Sequence, residues 1–269
     1  MRLAALRYNL RDQLMNRIEQ LSPVRAVSMA EEWFEHATAD HFWMQWRHEL
    51  LVRQLTRIGH PIKKALEVGC GRGIVRQLVE RDLEFAVDGC DLNRRALETA
   101  ANGRGRLLVY DIFDRNPALL EAYDLVLLMD VLEHLDDDLG FLSAALEHLR
   151  PGGIVAINVP AHMAFYSKYD EVVGHKRRYN IARIEWLFCH TNIEPLSIAY
   201  WGLTLLPFLF ARTVVVRFVS REQTIHTGFA EHNVVTRKIL RMIQKLELSA
   251  PFPMPIGTSL MAFGIRSKK

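Results

Sequence analysis

The sequence predicts an α/β fold: a doubly wound, mostly parallel sheet with helices on both faces. Three observations carry this. From residue 62 to about 160, short apolar runs alternate with amphipathic stretches in a repeated strand–helix order. Ala65, Leu66, Glu67 and Val68 read as a buried strand that runs into Gly69, Cys70, Gly71, Arg72 and Gly73, a Gly-rich turn opening a helix. Residues 123–129 form a near-continuous apolar run, as expected of a central parallel strand covered on both faces.

The bulk numbers fit a globular chain. Of 269 residues, 49% are hydrophobic and 24% charged, with a net charge of +3. That mild basicity does not call for a nucleic-acid partner. Cys70, Cys90 and Cys189 form no CxxC pair and no His/Cys cluster, so neither a zinc site nor a disulfide framework is indicated. Free thiols in a reducing cytosol are the expectation, and Arg2, Arg7 and Arg11 interrupt any signal-peptide core. The expected location is therefore cytoplasmic. Residues 196–211 are almost wholly apolar, but Pro207, Arg212 and Arg217 interrupt the run. It reads as a strand and an apolar helix, not a membrane span, and leaves a peripheral membrane contact open.

Element by element, residues 1–58 look helical. Leu3, Leu6, Leu10, Leu14 and Ile18 fall at helical spacing, and Pro23 breaks the segment. A second helical stretch, 30–58, holds Trp33, Phe34, Phe42, Trp43 and Trp46 and ends at Gly59, His60 and Pro61. Strands follow at 66–68, 85–89, 107–110, 123–129 and 154–159, with helices at 74–80, 94–101 and 136–149 between them. Pro151, Gly152 and Gly153 close the last of these helices. Beyond residue 160 come a helix at 181–190, a strand at 195–200, the apolar helix, and an amphipathic helix at 234–248. Its apolar side is Val235, Ile239, Met242, Ile243 and Leu246; Arg237, Lys238, Arg241 and Lys245 make a basic side. A Pro-rich turn leads to a last strand at 259–265.

The glycines at 69, 71 and 73 suit a turn that lets backbone approach a ligand. A dinucleotide fingerprint would need Gly or Ala where Ile74 stands. Asp91 ends the second strand about 18–20 residues past the turn, where a carboxylate takes both hydroxyls of a ribose. Its alternative is an N-cap for the helix near Arg94, and Asp88 is a weaker candidate for the ribose. Asp111 follows the third strand; its plain reading is a turn residue. The fourth strand runs into Met129, Asp130, Val131, Leu132, Glu133, His134 and Leu135.

Glu67 two residues before Gly69 gives E-x-G-x-G-x-G, which resembles the first motif of class I S-adenosylmethionine (SAM)-dependent methyltransferases. Residues 129–135 resemble the motif after the fourth strand in the ubiquinone- and menaquinone-methylating type, and 149–153 the turn before their fifth strand. The resemblance covers residues 62–160. It implies a Rossmann-like, seven-stranded methyltransferase sheet with an N-terminal helical lid and a helical insertion before the last strand. It implies SAM as cofactor, with Glu67, Gly69, Cys70, Gly71 and Gly73 around its methionine end. Asp91 and Leu92 would hold the ribose; Asp111 would face the adenine amino group with Ile112 on the ring. Met129, Asp130 and His134 would lie beside the cofactor.

Tyr166, Tyr169, His175, Arg177 and Arg178 follow the fifth strand in a string similar to that of bacterial methyltransferases of polysaccharide, lipid or quinone pathways. His175 and the two arginines could hold an anionic or polyoxygenated acceptor; the plain reading is a solvated loop pairing with Asp170 and Glu171. His175 is the first candidate for a base and His134 the second, although His134 also reads as a residue that simply packs beside the cofactor. Trp43 belongs either to an aromatic lid or to a helix docked on the sheet. No metal ligands are assigned.

The expected organisation is a helical cap at 1–60, a SAM-binding core at 61–200, a helical insertion over the acceptor site at 201–256, and a last core strand at 257–269. In this fold the sixth and seventh strands are antiparallel neighbours, so the roughly 55 residues between them emerge on the cofactor side. The expected reaction is methyl transfer from SAM to a small-molecule or lipid-like acceptor, with O-methylation slightly preferred over C- or N-methylation. Alternatives are a SAM enzyme of another reaction class and a non-catalytic, membrane-associated protein. The residues after the fourth strand are not the N/D-P-P-Y/F of nucleobase amino-methyltransferases, and oligomeric state is left open.

Overall fold

The computed structural model describes residues 18–24, 38–215, 234–249 and 254–268. Its centre is an eight-stranded sheet. The strands are β1 (Ile18–Gln20), β2 (Lys64–Val68), β3 (Ala86–Asp91), β4 (Leu107–Val109), β5 (Tyr123–Met129), β6 (Leu149–Pro160), β7 (Ile193–Trp201) and β8 (Ser259–Arg266). Their spatial order is β1-β4-β3-β2-β5-β6-β8-β7. All neighbours are parallel except β8, which runs antiparallel to both β6 and β7. The order reverses between β3 and β5 on either side of β2, so a crevice opens at the carboxyl end of β2.

Alternate residues of the central strands serve opposite faces, which is why these runs are continuously apolar. Leu66, Val126, Leu128, Val155 and Ile157 face one layer, with Leu142, Ile184, Leu187 and Phe188 packed on them. Ala65, Leu125, Leu127, Ile154 and Ala156 face the other, against Trp46, Leu51, Leu55, Val75 and Val79. The helices of the second layer are α1 (Phe42–Ile58) and α2 (Ile74–Asp82); α3 (Arg94–Glu98) follows β3. The first layer is built by α4 (Asp138–Leu146) and α6 (Ile181–His190), with the short α5 (Lys168–Val173) between them in sequence. The last two helices are α7 (Leu206–Val215) and α8 (Val234–Leu248).

Three sequence expectations change. Ile18 is not helical: it opens β1, pairs with Leu107 and adds an eighth strand at the sheet edge. Its helical spacing with Leu14 misled because a three-residue edge strand carries almost no periodicity of its own. The rest of that first expected helix, and Trp33 and Phe34, lie outside the described residues. Pro151, Gly152 and Gly153 do not precede the fifth strand of the pattern but interrupt it. Leu149 already pairs with Tyr123, and Ile154 with Leu125, so the extra residues form an irregularity within β6. Finally, α8 buries only part of its expected apolar side. Leu240 and Gln244 are buried and Ile243 packs against the core, while Ile239, Met242 and Leu246 are exposed.

Candidate functional site

The Gly-rich turn ends β2 at the crevice. Gly69, Gly71 and Gly73 all take left-handed backbone, with φ of 70°, 51° and 67°. Gly69 N and Cys70 N both donate to Cys90 O of β3, at 2.9 and 3.0 Å, and Gly73 N closes the turn on Cys70 O at 2.8 Å. A Cβ on Gly69 would lie 2.8 Å from Val131 Cγ2, so this turn and the loop after β5 touch backbone to side chain. Glu67 is buried and its Oε2 accepts from Arg76 N at 2.9 Å. Burial pushes its carboxyl up to about 7, against the pull of Arg47 and of the Arg76 N–H.

Asp91 reads neither simply as a free acceptor nor as a cap for the next helix. Its Oδ2 accepts from Gly71 N and its Oδ1 from Asn93 N, both at 2.8 Å. The helix cap is Asn93, which accepts from Ala96 N. Asp91 therefore ties the turn to β3, and burial raises its pKa. Asp88 is removed from any ligand role: it is buried and paired with Arg106 and Lys64. Asp111 accepts from Phe113 N at 3.0 Å and caps a short 3-10 turn, while its own N donates to Ser22 Oγ. Ile112 is buried in the core, and Leu92 is half-buried.

After β5 the backbone turns at Asp130, a non-glycine residue with φ of 62°. A chain of side chains holds it there. Arg47 of α1 donates to Asp130 Oδ2, Asn158 Nδ2 donates to Oδ1 at 2.7 Å, and Trp201 Nε1 donates to Asn158 Oδ1 at 2.9 Å. Burial raises the Asp130 pKa, opposed by Arg47 and Asn158. Arg47 also lies over the Trp43 ring, which stands 5.7 Å from the Trp201 ring. The aromatic helix docks on the sheet, and its first turns also line the crevice. Trp46, Leu51 and Leu55 dock α1 on the sheet, while Phe42, Trp43 and Arg47 in its first turns reach the crevice.

The loop from β6 brings a second chain of polar groups to the same place. Asp170 is fully buried and its carboxylate accepts from Arg178 Nε at 2.8 Å and Nη2 at 3.1 Å. Its Oδ1 also lies 2.8 Å from His175 Nδ1. Burial alone would raise Asp170, but His175 and Arg178 outweigh it and hold the carboxyl at about 2. The other ring nitrogen of His175 faces Glu133 Oε1 at 3.9 Å, too long for a hydrogen bond. Glu133 is fully buried, and neither carboxyl oxygen has a hydrogen-bond partner. Burial, with Asp130 beside it, pushes Glu133 well above the usual carboxylate range. His134 packs edge-on against His175 at 4.9 Å, and burial lowers its pKa to about 4. Glu133, His134 and His175 offer ligand atoms within 4.8 Å of one another, a spacing that a divalent cation could use.

These groups surround one cavity of about 470 Å³. Glu67, Gly69, Cys70, Gly71, Met129 and Asp130 line one side, and Trp43, Tyr169, His175, Arg178 and His134 another. Leu205, Phe208, Leu209 and Arg212 of the α7 region and Leu240 of α8 complete the wall. The structure does not bring Arg177 or Tyr166 to this lining. Arg177 reaches Asp136 O at 2.8 Å and Asp138 Oδ1 at 3.3 Å, while Tyr166 donates to His175 O at 2.8 Å. Asp136 and Asp138 around the start of α4 hold Arg177 instead.

The residues present fit SAM by their chemistry. A buried, incompletely compensated acid at Glu67 and left-handed glycines at the carboxyl end of β2 suit an ammonium and a closely approaching ligand backbone. A family profile described as a methyltransferase domain matches residues 26–198. The chain belongs to that methyltransferase family. A probable S-adenosylmethionine-dependent methyltransferase of Mycolicibacterium smegmatis is 31% identical over 163 residues, 58% of this chain and 60% of that protein. A ubiquinone biosynthesis O-methyltransferase of Vibrio atlanticus is 35% identical over 128 residues, 44% of this chain and 52% of the relative. The match thus spans little more than half the length of these curated relatives. A solved plantazolicin methyltransferase bound to a desmethyl analogue and S-adenosylhomocysteine shares the fold at a TM-score of 0.54 and 16% identity, covering 84% of this chain and 85% of that one.

In this family member, several site residues gave no local signal in sequence. Arg47 lies in a helix 83 residues before its partner Asp130. Asp170 reads as a solvated charge beside Glu171, yet it is the buried hub of the His175 and Arg178 contacts. Glu133 stands inside a recognised motif, but only burial shows its carboxyl to be without partners. Arg212 looked merely like a charge interrupting an apolar run, and its place in the wall needed the tertiary structure. Among the described residues no helix is long and apolar enough to cross a membrane.

Proposed function

We propose that this methyltransferase transfers the methyl group of SAM to a hydroxyl of a small, amphipathic or lipid-like acceptor. One observation carries the reading: His175, oriented by Asp170, faces the same cavity as the Gly-rich turn. When bound, SAM supplies a methyl group already activated on a sulfonium. The protein then has to align the acceptor, exclude water and manage one proton. With Nδ1 engaged by Asp170, His175 keeps Nε2 as the free basic position. A hydroxyl placed between Nε2 and Glu133 would give both groups their missing partner, and Nε2 would take its proton as the O–C bond forms. His134, neutral down to about pH 4, is a packing neighbour of His175 rather than a second base. The ubiquinone O-methyltransferase likeness supports oxygen as the methylated atom.

In the same reading, residues 61–200, with β1 and the last strand at 257–269, form the SAM-binding core; the start of α1 caps its crevice, and the described part of 201–256 roofs the acceptor. Leu205, Phe208, Leu209 and Leu240 supply an apolar wall that suits a lipid-like tail. Asp91 and Leu92 would take the ribose, and Asp111 and Ile112 the adenine.

The test incubates the protein with methyl-labelled SAM and a catechol carrying an alkyl tail. Label in the ether product, one S-adenosylhomocysteine per label, and a rate lost in His175→Ala but not in His134→Gln support the proposal. Full turnover by His175→Ala would remove His175 as the base. No labelled ether from any phenolic or catecholic amphiphile would remove O-methylation.

A further inference from the structure

Among the described residues, the cavity has a cation with no anion of its own. Two of its guanidiniums are matched: Arg47 pairs with Asp130, and Arg178 with Asp170. Arg212 of α7 also lines it, yet no carboxylate pairs with Arg212 among the described residues. Arg212 makes a cation–π contact: Cζ stands 3.9 Å from the centre of the buried Tyr169 ring. Its Nε is buried without a hydrogen-bond partner. Asp170 favours the Arg212 charge from a distance, but its carboxylate is already bonded to Arg178 and His175. Arg178, moreover, repels Arg212.

The surroundings make this costly. Arg212 is half-buried, and Leu205, Phe208, Leu209 and Val173 line the cavity with it, so few polar groups stand in for a counter-ion there. Burial works to lower the Arg212 pKa, but a guanidinium stays protonated in proteins. A planar fork with its donors toward a cavity is the usual geometry for a carboxylate or phosphate.

We infer that the acceptor carries an oxyanion, carboxylate or phosphate, seated on Arg212, with its apolar part along Leu205, Phe208 and Leu209. This rests on the cavity being the acceptor site of the proposed methyl transfer. Arg212 then acts as a specificity-determining residue: it selects anionic amphiphiles over neutral or cationic ones of the same length.

The experiment uses the full chain saturated with S-adenosylhomocysteine and measures binding of four ten-carbon probes: decanoate, decyl phosphate, decanol and decyltrimethylammonium. The expected result is that the two anions bind about tenfold or more tightly than decanol, and the cation least. The stronger of the two anions identifies the headgroup class. In Arg212→Met, which keeps the stem over Tyr169, the anion preference disappears while decanol binding stays; Arg212→Lys keeps part of it. Equal binding of decanol and both anions to the wild type, or an anion preference that survives in Arg212→Met, overturns the inference. S-adenosylhomocysteine affinity is recorded in the same series. Its loss would strike the proposed function, whereas intact cofactor binding without anion preference strikes only Arg212. The wild-type comparison stands even where a variant fails to fold.

Discussion

His175 Nδ1 lies 2.8 Å from Asp170 Oδ1, and the same carboxylate is gripped by both Arg178 nitrogens. One buried acid therefore sets the tautomer of the candidate base and neutralises a buried guanidinium. Asp170→Asn should cost about 3–5 kcal/mol of stability, because Arg178 is left buried without its charge partner. The folded-state value of about 2 lies below the ordinary 3.8, so this stabilisation is complete above about pH 4 and is lost as the pH falls through 2. Acid unfolding followed by circular dichroism checks it: the wild type should lose its advantage over Asp170→Asn across that window. Parallel acid curves would contradict the pairing.

Glu67 predicts the opposite slope. Its folded pKa, about 7, lies above the ordinary 4.5. Its contribution is thus most favourable below pH 4.5 and is lost as the pH rises through 7, a swing of about 3 kcal/mol. Glu67→Gln should be flat over that range in chemical denaturation. An ammonium-bearing ligand at the turn would restore the ionised form, so S-adenosylhomocysteine should bind more tightly at pH 8 than at pH 6 in the wild type. In Glu67→Gln that difference should vanish; a persistent difference would assign it elsewhere.

Gly69 is constrained twice, by φ of 70° and by Val131 at 2.8 Å from its missing Cβ. Gly69→Ala should cost about 1–2 kcal/mol from backbone strain alone, plus the displacement of Val131. Adding Val131→Ala should recover the steric part and not the backbone part. Thermal melts of the two variants separate these, and complete recovery by the double variant would show the conformation to be unimportant.

Arg47 links α1 to the strained turn at Asp130, and through Asn158 to Trp201. Arg47→Met should destabilise by up to about 3 kcal/mol, since Asp130, half-buried, loses its guanidinium and keeps only Asn158. Trp43 and Trp201 stand 5.7 Å apart at this junction, so the change should also appear in tryptophan emission. An unaltered spectrum with unaltered stability would mean that α1 is held by its apolar face alone.

Much of the core was legible because parallel strands and Gly turns leave strong local signals. The runs at Leu66, Val126 and Val155 have to be apolar on both faces, and Gly69, Gly71 and Gly73 have to adopt positive φ. What was not legible depends on tertiary partners. Ile18 pairs with Leu107, 89 residues on, in a strand too short to show alternation. In α8, Ile239, Met242, Ile243 and Leu246 formed the stronger apolar stripe, yet of these only Ile243 packs on the core, beside the buried Leu240 and Gln244. Gln244 faces inward because its amide finds Glu49 at 2.8 Å, which no helical periodicity encodes. The exposed stripe lies in the same inserted region as Phe208, Phe210 and Val214, also exposed. Arg177 and Arg178 were equivalent in sequence; both pair with buried acids, and only the tertiary structure puts Arg177 on Asp138 and Arg178 on Asp170 at the cavity wall.

The central claim is that the crevice at the end of β2 binds SAM through the Gly-rich turn and Asp91, whose carboxylate joins Gly71 to β3. Titration calorimetry with S-adenosylhomocysteine tests it most directly. The account predicts one saturable site in the wild type and a loss of about a hundredfold in affinity in Asp91→Ala, from the hydroxyl contacts and the loosened turn. No saturable binding to the wild type, or equal affinity in Asp91→Ala, would contradict it.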